Sequence, residues 1–156
     1  MREINVGDFA PDFVLPTDGG GQIRLSDLRG TAVVLYFYPK DDTPGCTVEA
    51  IEFSALVPKF AALGARIVGI SPDPVKSHDR FKAKHGLTIQ LAADADKEVV
   101  NLYGVWVQKS RYGRNYMGVE RTTMLVGKDG RIAEIWRKVN AAGHAEMVLE
   151  AVRKVA

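Results

Sequence analysis

Val33-Val34-Leu35-Tyr36-Phe37-Tyr38-Pro39-Lys40-Asp41-Asp42-Thr43-Pro44-Gly45-Cys46 is the stretch whose reading decides the fold. Its first six residues form a continuous apolar run, β-branched and then aromatic, of the kind that fills a central strand. Its end reads as a helix start, with Thr43 ahead of Pro44. The proline is tolerated in the first turn because the amide it lacks would be unpaired there anyway. Cys46, the only cysteine among the 156 residues, then falls in the first helical turn. Unpaired backbone amides and the positive end of the helix dipole favour the thiolate over the thiol at such a position. A reactive cysteine is what this placement predicts.

Outward from that junction, strand and helix alternate. Upstream, Phe13-Val14-Leu15 and Gln22-Ile23-Arg24-Leu25 flank Thr17-Asp18-Gly19-Gly20-Gly21, which predicts a small N-terminal β-hairpin. Downstream, the helix from Pro44 is expected to stop at Gly64, with Pro58 kinking or dividing it. Arg66-Ile67-Val68-Gly69-Ile70 is the next buried strand, and Ser71-Pro72-Asp73-Pro74 breaks the chain before a polar helix over 75–85 closed by Gly86. A short strand at 89–92, a helix over 96–103 and a polar, solvated loop over 107–118 follow. Arg121 to Val126 and Arg131 to Arg137 form a hairpin about Lys128-Asp129-Gly130. A last helix over 143–155 carries Met147, Val148, Ala151, Val152 and Val155 at helical spacing. A β-α-β core followed by α, hairpin and α resembles the thioredoxin order. The expected class is therefore α/β: one thioredoxin-like domain over 1–156, with a central mixed β-sheet flanked by helices on both faces and an N-terminal β-hairpin.

Composition narrows the function classes. Lys and Arg number 21 against 19 Asp and Glu, so the net charge of +2 makes no basic stripe for nucleic acid. No apolar stretch approaches the roughly 20 residues that span a bilayer, and Met1-Arg2-Glu3-Ile4-Asn5 lacks the apolar core of a signal peptide. A cytoplasmic protein without membrane contact is expected. One cysteine allows no internal disulfide, and with three scattered histidines it makes no metal site.

A thioredoxin carries Cys-x-x-Cys at the start of its first core helix, whereas here Glu49 stands in the second cysteine's place. What the chain has instead, Pro39-x-x-x-Thr43-x-x-Cys46, resembles the active-site signature of the peroxiredoxins. Tyr36 to Thr47 is similar, nearly residue for residue, to the bacterioferritin-comigratory-protein or PrxQ branch of that family. So are Ser71-Pro72-Asp73 with Lys76-Ser77-His78, Tyr103-Gly104-Val105-Trp106, Arg121-Thr122-Thr123 and Gly143-His144-Ala145, in the same order.

The resemblance implies a thiol-dependent peroxidase of antioxidant defence that reduces hydrogen peroxide and organic hydroperoxides without metal, haem or flavin. Cys46 would attack the peroxide and become a sulfenic acid. Ordinary cysteine, with a pKa of about 8.5, is only a few per cent thiolate at neutral pH. Arg121 is the cation carried over to hold the sulfur and a peroxide oxygen in its planar fork, and Glu49, one turn after Cys46, is the acid that orients it. Thr43 would hydrogen-bond the peroxide, and the Gly45 and Cys46 amides would receive the charge developing as the O–O bond breaks. Gly45 permits close backbone approach, and Pro39 shields the pocket.

One departure stands out. Members of this branch carry a second, resolving cysteine either five residues after the first, here Ile51, or in the helix that here reads Phe81-Lys82-Ala83-Lys84-His85. Neither place holds a cysteine. Regeneration is therefore expected from an external thiol, such as thioredoxin, glutaredoxin or a low-molecular-weight thiol, in a monomer or weak homodimer. A peroxide sensor or thiol-binding module signalling through mixed disulfides is the alternative. Of the other residues, His78 and His85 read as exposed helix positions and His144 as serving the last helix's start. Trp106 and Trp136 read as packing residues. Tyr112 and Tyr116, with Arg111 and Arg114, read as part of a solvated loop.

Overall fold

In the computed structural model, which describes residues 3–155, the Asp18-Gly19-Gly20 segment turns the chain between β1 (Val14–Pro16) and β2 (Gln22–Arg24), which pair antiparallel. Met1 and Arg2, part of the stretch read for a signal peptide, lie outside the described residues, as does Ala156. The apolar run forms β3 (Ala32–Phe37), every residue of which is at most 1% exposed. Burying each of its larger aliphatic side chains stabilises the fold by about 1.5–3 kcal/mol. β3 hands over through residues 38–43 to α1 (Pro44–Ala62). Then come β4 (Ala65–Ser71), α2 (Val75–His85), β5 (Gln90–Ala93) and α3 (Glu98–Leu102). Two hairpins, β6 (Trp106–Arg111) with β7 (Arg114–Val119) and β8 (Thr122–Val126) with β9 (Ile132–Trp136), precede α4 (His144–Val155).

The central sheet has the order β5-β4-β3-β8-β9. β3, β4 and β5 run parallel, and β8 lies antiparallel to β3, with Phe37 opposite Thr122. The sheet is thus mixed, as the sequence predicts. Side-chain alternation along β3 divides the core into two layers. Val33, Leu35 and Phe37 pack with Val99 and Val100 of α3 and with the N-terminal segment. Val34, Tyr36 and Tyr38 pack with Phe53 of α1, Phe81 of α2 and Val148 of α4. None of the described helices is long and apolar enough to cross a membrane.

Three local expectations are corrected. α1 runs unbroken through Pro58. The amide that Pro58 lacks leaves the Ser54 carbonyl without a helical donor. Thr88 fills the gap: its Oγ1 donates to that carbonyl at 3.1 Å, and its N–H donates to Ser54 Oγ at 3.1 Å. The stretch 107–118 is not a loop but the β6–β7 hairpin, turned by Tyr112 and Gly113 at φ 53° and 74°. Most of its residues are exposed, so no apolar alternation marks it as strand. His78 is fully buried rather than exposed. His85 is partly exposed and pairs with Asp42.

Gly69 of β4 sits against Tyr36, and a Cβ there would stand 2.7 Å from the Tyr36 ring and hydroxyl. The ring stacks on Tyr38 and Phe53 and has no room to yield. Gly69→Ala is therefore expected to destabilise the fold by about 1–3 kcal/mol, read from the denaturant midpoint.

Candidate active site

The sheet topology explains how two residues 75 positions apart meet. Because β8 is antiparallel to β3, the residue just before β8 lies beside the chain that leaves β3. Arg121 therefore arrives at the start of α1. Its Nη2 donates to Cys46 Sγ at 3.3 Å, and its Nη1 donates to Glu49 Oε1 at 2.7 Å. Cys46 is 1% exposed and Glu49 fully buried. One guanidinium fork spans sulfur and carboxylate, a geometry that a lysine ammonium cannot reproduce.

Gly45 has a specific steric reason. A Cβ at this position would lie 3.1 Å from Arg121 Nη2, so the space a side chain would take is the space the guanidinium occupies. Thr43 stands at the N-cap of α1 with extended backbone, but its hydroxyl does not cap the helix; it donates to the Lys40 carbonyl at 2.8 Å. The Thr43 carbonyl accepts the Thr47 amide at 2.8 Å. The Gly45 and Cys46 amides precede the first residue able to make an intrahelical bond, so they are open to a ligand. Pro39 is half-buried at the head of the connecting segment, and Ile51 is exposed on α1.

Burial is the largest influence on Glu49 and raises its pKa to about 7, against the opposing pull of Arg121; nearby Glu52 raises it further. Its second oxygen, Oε2, is buried without a hydrogen-bond partner. For Arg121, burial disfavours the charge, but Glu49 and Cys46 outweigh it and hold the guanidinium above its ordinary value. Tyr36 is pushed well above the phenol range by burial, then by the charges of Glu49 and Cys46.

Two further groups in this field are absent from the sequence-predicted set. Lys109 of β6 is lowered by burial and by Arg121, while Cys46 and Glu120 pull it the other way. The only sequence signal for it was a lysine in a polar stretch. His144 opens α4 and is held down to about 4 by burial and by Arg121. Its Nε2 lies 2.8 Å from Thr123 Oγ1, and its ring meets Phe53 and Trp136 edge-on. It stays neutral beside the cation.

The Glu49 carboxyl makes stability depend on pH with a defined sign. Its pKa in the folded chain lies above the unfolded value, so the folded state binds more protons between about pH 4.5 and 7, and stability falls as pH rises through that window. Glu49→Gln is expected to flatten this decline in chemical denaturation.

Residues 6–135 match the AhpC/TSA family model. Peroxiredoxin Bcp of Bacillus subtilis (strain 168) is 43% identical over 150 residues, covering 96% of this chain and 96% of that protein. A crystallised cysteine-to-serine mutant of Xylella fastidiosa PrxQ superimposes with a TM-score of 0.93 at 40% identity, over 99% of this chain and 98% of its own. The Xanthomonas campestris bacterioferritin comigratory protein, known from trapped intermediate and ligand complexes bearing on alkyl peroxide reduction, aligns with a TM-score of 0.89 at 42% identity, over 97% and 96%. With the sheet order, the arginine-held cysteine and likeness over nearly the whole chain in agreement, the chain belongs to the AhpC/TSA family, among its Bcp/PrxQ peroxiredoxins.

Proposed function

We propose that residues 1–156 act as one thioredoxin-like domain that reduces hydroperoxides at the expense of thiols, with Cys46 as the attacking group. The observation that carries this reading is the Arg121 fork, 3.3 Å from Cys46 Sγ and 2.7 Å from Glu49 Oε1, at the start of a helix. The Cys46 thiolate attacks one peroxide oxygen, a sulfur–oxygen bond forms and the O–O bond breaks. The departing hydroxide or alkoxide takes a proton and leaves as water or alcohol. Thr43, Gly45 and the Cys46 amide cradle the peroxide, Arg121 stabilises the charge that moves onto the leaving oxygen, and Glu49 aims Arg121. Pro39 shields the pocket.

The resulting sulfenic acid condenses with an external thiol to a mixed disulfide, releasing water. A second thiol attacks that disulfide and frees Cys46. The second thiol comes from outside these residues, because the chain has no other cysteine. Thioredoxin, glutaredoxin or a low-molecular-weight thiol fits this role, in the cytoplasm, with the protein a monomer or weak homodimer.

Stoichiometry tests the cycle. Without thiol, one equivalent of peroxide per chain is expected to disappear rapidly and consumption then to stop. With thiol, consumption continues until the thiol is spent. Rapid uptake of one equivalent with no recycling by any thiol would favour the sensor reading.

A further inference from the structure

Residues 41 and 42, in the segment that delivers Thr43, Gly45 and Cys46, are fastened to α2 at several points along that helix. Asp41 is buried, and its Oδ2 accepts from Ser77 Oγ at 2.7 Å and lies 2.7 Å from His78 Nδ1. Its Oδ1 accepts from the Tyr38 hydroxyl at 2.6 Å, and its own N–H donates to Asp73 Oδ2 at 2.8 Å. Asp42, at φ 61°, adds a second clasp with Lys84 Nζ at 2.7 Å and His85 Nε2 at 2.8 Å, from the last turn of α2.

The protonation of His78 follows from its partners. Nε2 faces the Ala92 carbonyl at 3.0 Å, an oxygen that only accepts, so Nε2 carries a hydrogen. Nδ1 faces a carboxylate that already accepts two hydroxyls, and donates to it as well. Both nitrogens therefore donate, and the ring is a buried imidazolium. The titratable groups around it are Asp41 from the segment, Asp73 from the β4–α2 connection and Tyr38 from the end of β3; β5 contributes the Ala92 carbonyl. Burial opposes this charge, but Asp41 outweighs it and raises the His78 pKa.

We propose that His78 and Asp41 are positioning residues for peroxide reduction, a charged clamp through which α2 sets the segment that presents Thr43 and the Gly45 and Cys46 amides to the peroxide. Neither touches Sγ; they act through the segment. Misplacing a reacting cradle by an ångström costs roughly 100-fold in rate, so a clamp of the fully buried His78 on Asp41, two residues from Thr43, has leverage on the reaction.

The proposal rests on the peroxidase reading, and the test separates the two. Cys46 oxidation by hydrogen peroxide is compared with Cys46 alkylation by iodoacetamide, which needs the thiolate but no peroxide cradle. In His78→Gln the ratio of the two rate constants is expected to fall roughly 10- to 100-fold, with alkylation preserved. In the unaltered protein the imidazolium is lost as pH rises through its raised pKa, so the ratio declines at a pH above the ordinary histidine range; in His78→Gln that decline is absent. Ser77→Ala, which removes one donor from Asp41, gives a smaller fall in the same ratio and decides the matter if His78→Gln does not fold. An unchanged ratio in the folded variants, or both rates falling together, would overturn the clamp. An unaltered protein that alkylates readily but ignores peroxide would instead overturn the peroxidase reading.

Discussion

Cys46→Ser is expected to consume no peroxide above the buffer background at any pH between 6 and 9, with any thiol present. A serine hydroxyl is not ionised in that range, and the Arg121 fork cannot make up the difference, because it stabilises an existing anion and does not create one. The substitution is nearly isosteric. The new hydroxyl occupies the place of a sulfur that accepts from Arg121 at 3.3 Å, so the fold survives and the loss reads on chemistry. Far-ultraviolet circular dichroism alongside the peroxide assay checks both halves. Undiminished turnover would remove Cys46 from the reaction.

Arg121→Ala is expected to lower the rate constant for Cys46 oxidation by about 100- to 1,000-fold, the usual effect of deleting one donor that meets developing negative charge. Stopped-flow kinetics measures this directly. A second effect follows from Glu49, which is left buried without its partner. Removing one member of a buried pair typically costs about 3–5 kcal/mol. Here the carboxyl can escape part of that by binding a proton, since burial already raises its pKa to about 7. The loss of stability should therefore be larger at pH 8 than at pH 6. Equal losses at the two values would show that Glu49 is not held by Arg121 in solution. Arg121→Lys should recover little of the rate, because one ammonium cannot engage sulfur and carboxylate together.

Much of the architecture was legible because its signals are local. The run 33–38 has strand composition along its whole length, Gly64 and Gly86 fall at φ 71° and 61° after α1 and α2, and Asp129-Gly130 lies between β8 and β9. Cys46 was legible for the same reason, since strand, turn and helix start are consecutive. Other features depend on tertiary partners. The β6–β7 hairpin lies in solvent and shows no alternation, so its residues read as loop. Pro58 looked like a break because the donors that compensate for it come from Thr88, 34 positions on from Ser54 and invisible to a local reading. His78 looked exposed because it stands in a polar helix. Its burial is set by Asp41, 37 positions earlier, and by the Ala92 carbonyl. Arg121 became more than a strand-edge charge only through resemblance, and the antiparallel register of β3 and β8 supplies the physical reason for its place.

In the proposed cycle the arginine-held Cys46 takes an oxygen from peroxide and loses it as water when a thiol from outside the chain forms a disulfide with the sulfur. Intact-protein mass spectrometry after one equivalent of peroxide, with and without added thiol, tests it most directly. The expected result is a single added oxygen on Cys46 without thiol, and a mixed disulfide or the original mass with it. A protein whose mass does not change on exposure to peroxide, or one whose added oxygen sits on a residue other than Cys46, would contradict the account.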